Sequence, residues 1–133
     1  MQIQLFLFKN INYDFPMSIK VTIEDIDKRL SEYGHSAFVV TMTEEGKAKI
    51  VHSVISLEDD CLICSPGKGT LKNLADSSSV SLIFPPHSDD AYSMIIDGDG
   101  QILDSEKGSI KVKITGGVLH RPAAQSLNEG PKC

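Results

Sequence analysis

The spacing of apolar residues changes several times along the chain. Ile23, Ile26, Leu30 and Tyr33 recur at helical intervals with polar residues between them, which predicts an amphipathic helix over residues 22–33. Thr22 is a capping residue type, Glu24 and Asp25 suit the electropositive first turn, and Gly34 can end the helix. From Ser36 to Thr43 the run becomes apolar and β-branched, hence a strand. Glu44-Glu45-Gly46 predicts a turn, and residues 47–55 alternate as its returning partner. A short third strand, Cys61 to Ser65, follows an acidic turn at Glu58-Asp59-Asp60. Pro66-Gly67-Lys68-Gly69 then predicts a loop, and Thr70 to Asp76 one or two helical turns with Leu71, Leu74 and Ala75 facing inward. Val80 to Phe84 is strand again, stopped by Pro85-Pro86, and His87 to Ala91 is a polar loop. Tyr92 to Leu103 predicts one long bent strand, or two short ones around Asp97-Gly98-Asp99-Gly100. Ile110, Val112 and Ile114 alternate with Lys111, Lys113 and Thr115, a half-exposed strand running on towards Leu119.

About six strands, two short helices and no βαβ repetition predict a mostly β, α+β chain with an antiparallel sheet, most economically a small barrel. A length of 133 residues suits one domain. Its expected parts are an extension over 1–16, the domain over 17–122 and a tail over 123–133. Within the extension, Ile3, Leu5 and Leu7 alternate with Gln4, Phe6 and Phe8 and could form an edge strand. No basic region precedes this stretch and no small-residue cleavage site follows it, which argues against a secretory signal. A net charge of −5 disfavours a phosphate backbone, so no nucleic-acid partner is expected. No apolar run is long enough for a membrane span. Three cysteines without framework spacing suggest free thiols and a reducing compartment, hence the cytoplasm.

Several familiar sites are absent. Gly67-Lys68 is followed by Gly69 and not by a hydroxyl residue, and no glycine stands five before Gly67, so there is no P-loop. Lys72 occupies the last position of a would-be dinucleotide fingerprint, and Gly108 stands where a calcium loop needs an acid. Cys61 and Cys64 lie three apart on a strand and diverge, so no metal site is expected. The informative segment is Ser65 to Leu74, which joins a strand end to a helix start. Its glycines bare backbone N–H groups, Ser65 and Thr70 carry hydroxyls, and Lys68 and Lys72 carry charge, the ingredients of an anion cradle or of a solvated turn. His120 and Arg121 end the last strand. Arginine suits bidentate phosphate or carboxylate recognition, and histidine can donate a proton or hydrogen-bond a ring edge.

From Ser36 to about Pro122 the chain resembles the FMN-binding split-barrel, pyridoxamine 5′-phosphate oxidase-like family. The carrying pieces are the Ser36–Ile55 hairpin, Leu62-Ile63-Cys64-Ser65, Gly69-Thr70-Leu71-Lys72-Asn73-Leu74 and Val80 to Phe84. Tyr92 to Gly98 and Gly117 to Pro122 add to the likeness. The resemblance implies a split antiparallel β-barrel, a homodimer and FMN in a groove between subunits. It assigns flavin contacts to Lys49, Val51, His52 and Ser53 on one strand, to Ser65 at its partner's end, and to Lys68, Gly69, Thr70, Lys72 and Asn73 beyond. One departure stands out: the family's basic position three before the asparagine is Thr70 here, with Lys68 and Lys72 two residues to either side. The activity implied is an FMN-dependent oxidoreductase acting on a small molecule, with no catalytic residue assigned. The alternatives are a flavin carrier or sensor, and a barrel that has lost its flavin or uses a deazaflavin or haem.

Overall fold

A computed structural model describes residues 16–123. The expected edge strand in the extension and most of the tail lie outside the described residues. Among the described residues there are seven strands: β1 (Ser18–Lys20), β2 (Ser36–Met42), β3 (Ala48–Glu58), β4 (Cys61–Cys64), β5 (Ser79–Phe84), β6 (Ser93–Asp104) and β7 (Ser109–His120). Helix α1 (Ile26–Tyr33) follows a 3-10 turn at Ile23–Asp25, and α2 (Lys68–Asp76) lies between β4 and β5. Six strands run in the order β7-β4-β3-β2-β5-β6, and the β6–β7 pairing closes them into an antiparallel barrel. The short β1 is an outer strand on the far end of β7, Ser18 opposite His120. Among the described residues no helix is long and apolar enough to cross a membrane.

Alternation along each strand decides what fills the barrel. Ala37, Val39 and Thr41 of β2 point in, as do Leu82 and Phe84 of β5, Met94 and Ile96 of β6, and Ile110 and Val112 of β7. Ile26 and Leu30 of α1 are 1% exposed and join this core. Each buried Val, Leu, Ile, Met or Phe among them contributes about 1.5–3 kcal/mol. The acidic turn after β3 holds Asp59 and Asp60 at φ 49 and 64, the left-handed pair of a tight hairpin, which aspartate tolerates better than most residues.

The structure differs from the periodicity in four places. The first helix opens as a 3-10 turn, and Ile23 is 45% exposed. The tighter winding rotates it off the core face, and the Thr22 hydroxyl bonds the Asp25 carboxylate at 3.0 Å, with no side-chain cap on the backbone. Helix α2 begins at Lys68, two residues before Thr70. Its inward positions are Thr70, Leu71, Asn73 and Leu74, whereas Ala75 is exposed. β3 runs on to Glu58, and β1 is a three-residue strand that exists only through its pairing with β7. Of the two readings of Tyr92 to Leu103, the structure takes the single long strand: Ser93–Asp104 is continuous, with a register shift at Asp97/Gly98.

Candidate functional site: the split between β3 and α2

β3 outruns its neighbour. β4 pairs only with Ile55–Glu58, so from Ala48 to Val54 that edge of β3 has no strand beside it. Where the pairing begins, at the Val54 end of this edge, lies an open groove of about 400 Å³, lined by His52, Ser53, Val54 and Ser56 of β3 with Ile63, Cys64 and Ser65. Because it lies at an edge, the groove meets side chains from both faces of the sheet. The Ser53 hydroxyl ties its two sides together: it accepts from the Ser65 N–H at 3.2 Å and donates to the Val54 carbonyl at 3.2 Å. Burial pushes the Cys64 thiol up to about 11, with the Ser53 hydrogen bond acting the other way, so it is a protonated wall of the groove at neutral pH. Cys61 is half-buried and Cys64 buried, as expected for thiols three apart on a strand.

One end of the site is the start of α2. Gly67 caps the helix at φ 107 and donates its N–H to the Gly108 carbonyl at 3.1 Å, so the β6–β7 turn backs the loop. A Cβ on Gly108 would lie 2.7 Å from the Gly67 Cα, and only glycine allows that approach. Lys49 reaches the same turn from β3. A Cβ on Gly69 would fall 2.6 Å from the Lys49 Cε and 2.9 Å from its Nζ, so the lysine stem lies across the place where a side chain would be. Its ammonium thus sits on the electropositive end of a helix with no acidic residue in its first turn. Among the described residues the salt bridge found is Arg29–Glu32, and Lys49, Lys68 and Lys72 have no carboxylate partner. Thr70 is wholly buried beneath this turn, and its hydroxyl has no hydrogen-bond partner among the described residues. Positive charge gathered on a helix start, a glycine cradle and an unpaired hydroxyl fit an oxyanion.

The other sequence candidates separate into three groups. Lys68 and Lys72 are exposed on α2 and flank this turn. Asn73 is buried and donates from Nδ2 to the Thr41 hydroxyl at 3.0 Å, which fastens α2 to β2. Val51 lies on β3 between Lys49 and Ser53, opposite Val39. His120 and Arg121 are not brought to the cradle. Gly108, which touches Gly67, begins the twelve-residue strand that they end, so roughly 35–40 Å of strand intervenes. The Arg121 guanidinium sits over the Tyr92 ring at 5.6 Å, and the Arg121 backbone N–H donates to the Met17 carbonyl at 2.9 Å. Sequence reasoning missed Ser36, Phe38 and Gly108. The first two hold His52: its Nε2 and the Ser36 Oγ are 3.1 Å apart, and its ring leans on Phe38 at 5.1 Å. Only the β2–β3 register, with Phe38 opposite His52, brings these side chains together.

No protein-family model and no curated protein matches the chain. Solved structures do. A candidate 5-nitroimidazole antibiotic resistance protein of Bacteroides thetaiotaomicron VPI-5482 superposes with a TM-score of 0.58 at 14% identity, over 78% of this chain and 89% of that one. The FAD binding protein of Mycobacterium smegmatis gives 0.54 at 14% identity, over 78% and 99%. A candidate pyridoxamine 5′-phosphate oxidase of Corynebacterium glutamicum ATCC 13032 gives 0.50 at 9% identity, over 80% and 97%. The six-strand closed barrel, the outer strand and the two helices are therefore the split-barrel fold that these proteins share.

Proposed function

We propose that this chain binds FMN and works as a homodimeric, cytoplasmic oxidoreductase on a small molecule. The observation that carries the reading is the Lys49 ammonium laid across Gly69 at the start of α2 and without a carboxylate partner among the described residues. Lys49, Lys68 and Lys72 would hold the flavin phosphate, with the backbone N–H groups of the turn supplying direction. Ser53 and Ser65 shape the groove beyond. A bound flavin supplies hydride chemistry, while the protein supplies position and electrostatics. Two of the proteins sharing the fold, described as FAD-binding and as a candidate pyridoxamine 5′-phosphate oxidase, lend support.

Titration with FMN, followed by quenching of flavin fluorescence, tests this. The unaltered protein is expected to bind. In the double variant Lys68→Ala, Lys72→Ala each lost charge-assisted hydrogen bond removes about 1.5–3 kcal/mol, so binding should nearly vanish. Both lysines are exposed, and apo-protein stability should stay within about 1 kcal/mol. Unchanged affinity in the double variant would reduce the loop to a solvated turn, and a protein that ignores FMN would remove the flavin.

The dimer rests on the outer face of β2 and β3. Phe38, Met42, Ile50 and Val54 are 38%, 44%, 60% and 74% exposed there. They stand on adjacent rungs, with Val40 opposite Ile50 and Ser36 opposite Val54. Half-buried Ile83 and Ile95 continue the Phe38 row across β5 and β6. An apolar face of this breadth calls for a partner, and a two-fold copy is the commonest one. Light scattering should give twice the 14.5 kDa chain mass, and Val54→Asp should give monomers. A monomer for the unaltered protein at micromolar concentration would overturn the dimer.

A further inference from the structure

His52 stands in the middle of the apolar face that the dimer would bury. Side chains alternate along β3, so Ile50, His52 and Val54 point the same way, and all three are exposed. Across on β2, Phe38 is directly opposite His52, and the two rings lie 5.1 Å apart. The same rung continues through Ile83 of β5 and Ile95 of β6. A copy that covers Ile50, Val54 and Phe38 therefore covers His52 as well.

The groups around His52 offer a positive charge nothing to pair with. Its neighbours on this face, Ile50 and Val54 on β3 and Ser36, Phe38 and Val40 on β2, carry no charge. Towards β4 the titratable group is the Cys64 thiol, which burial keeps protonated at neutral pH. Lys49 and the lysines of α2 belong to the other face of β3, where α2 packs against Thr41. Asp97 of β6 lies on the neighbouring rung but three strands over, about 14 Å away. Its carboxylate already accepts from the Ser81 hydroxyl at 2.6 Å. Among the described residues His52 makes no ion pair. The neutral ring, by contrast, has a partner inside its own protomer. Its Nε2 and the Ser36 Oγ are 3.1 Å apart, and a hydroxyl can donate or accept. Covering the neutral ring thus costs little, whereas covering an imidazolium takes a charge out of water with no carboxylate to receive it.

We propose that His52 makes the dimer pH-sensitive: the neutral ring is buried between the two copies, and its protonation drives them apart. This rests on the dimer reading and needs no flavin. Imidazole is the side chain that ordinarily changes charge between pH 5 and 8. The proton goes on more readily in the open monomer than in the covered dimer, so acid favours the monomer. A two-fold interface buries His52 from both protomers, and separation takes up as many as two protons. Net charge acts in the opposite sense. The chain carries −5 at neutral pH, and acid lowers the repulsion between identical copies. A dimer that weakens in acid therefore reports a covered base and not the overall charge.

Sedimentation of the full chain, without added flavin, gives the dimer dissociation constant at pH 8 and at pH 6. It is measured for the unaltered protein, His52→Phe and His52→Gln. In the unaltered protein the constant should rise about tenfold or more at the lower pH. Both variants remove the titration, and their dimers should be no weaker at pH 6 than at pH 8. His35, His87 and His120 remain in each variant, so the difference in pH response belongs to His52. His52 is exposed in the protomer, and melting temperatures should stay close to that of the unaltered protein. An unaltered dimer equally tight or tighter at pH 6 would overturn the switch and leave the dimer standing. Weakening in acid that persists in both variants would overturn the role of His52. A monomer at pH 8 and micromolar concentration would overturn the dimer and the switch together.

Discussion

A Gly98→Ala variant should lose about 3 kcal/mol of stability, read as a lower urea midpoint. Gly98 lies at the register shift in β6, between Val80 of β5 and Ile114 of β7. A Cβ there would press on the Lys113 carbonyl oxygen and lie 2.6 Å from the Val112 Cγ1. The obstacle is partly backbone, and that backbone belongs to the seam that closes the barrel. It cannot move aside without giving up ladder hydrogen bonds, and overpacking of this kind costs about 1–3 kcal/mol or somewhat more. Against a usual total of about 5–15 kcal/mol, that loss is large. Gly116→Ala is the internal control. It lies on the same strand pair, opposite Asp97, and a Cβ there meets nothing within 4 Å. It should change stability by no more than about 0.5 kcal/mol. Equal urea midpoints for the two variants would mean that the seam yields at Gly98.

Gly69→Ala should separate stability from binding. The added methyl meets the far end of the Lys49 side chain, which is flexible and can swing away. Glycine in a helix is about 1 kcal/mol worse than alanine, so the apo-protein should become no less stable and could gain a few tenths. Displacing the Lys49 ammonium from the start of α2 removes a charge-assisted contact, so FMN affinity should fall about tenfold or more. Lys49→Ala should produce the same loss by deletion. If the two act through one contact, Gly69→Ala adds nothing in the Lys49→Ala background, a coupling that a double-mutant cycle reads directly. Additive losses would place Lys49 outside the anion site.

The mostly β class, the order of the six barrel strands along the chain and the helix after the third of them were legible from apolar spacing. The reason is that a two-residue period and a stop at Gly, Pro or paired acids are local properties. The Ser36–Ile55 hairpin, the acidic turn at Asp59-Asp60 and the halt at Pro85-Pro86 are all of this kind. So was the cradle's composition, since Gly67, Lys68, Gly69 and Lys72 are neighbours in sequence. β1 carried no signal, because three residues become a strand only when the end of β7 is there to pair with them.

Assembly of the site was a tertiary matter. Lys49 and Gly69 are twenty positions apart and meet only because β4 stops short and α2 takes its place beside β3. Gly108 supports Gly67 through barrel closure, and Ser36 reaches His52 through the β2–β3 register. The rotation of α2 against β2 buries Thr70 beneath the cradle and brings the Asn73 amide to Thr41 of β2, and neither placement follows from the local sequence. His120 and Arg121 were candidates for their side-chain chemistry at a strand end, and the length of β7 sets them far from the cradle. Local sequence determines which element forms and which of its faces is apolar. Which faces then meet depends on strand lengths, register and closure, and those are settled only when the whole sheet pairs at once.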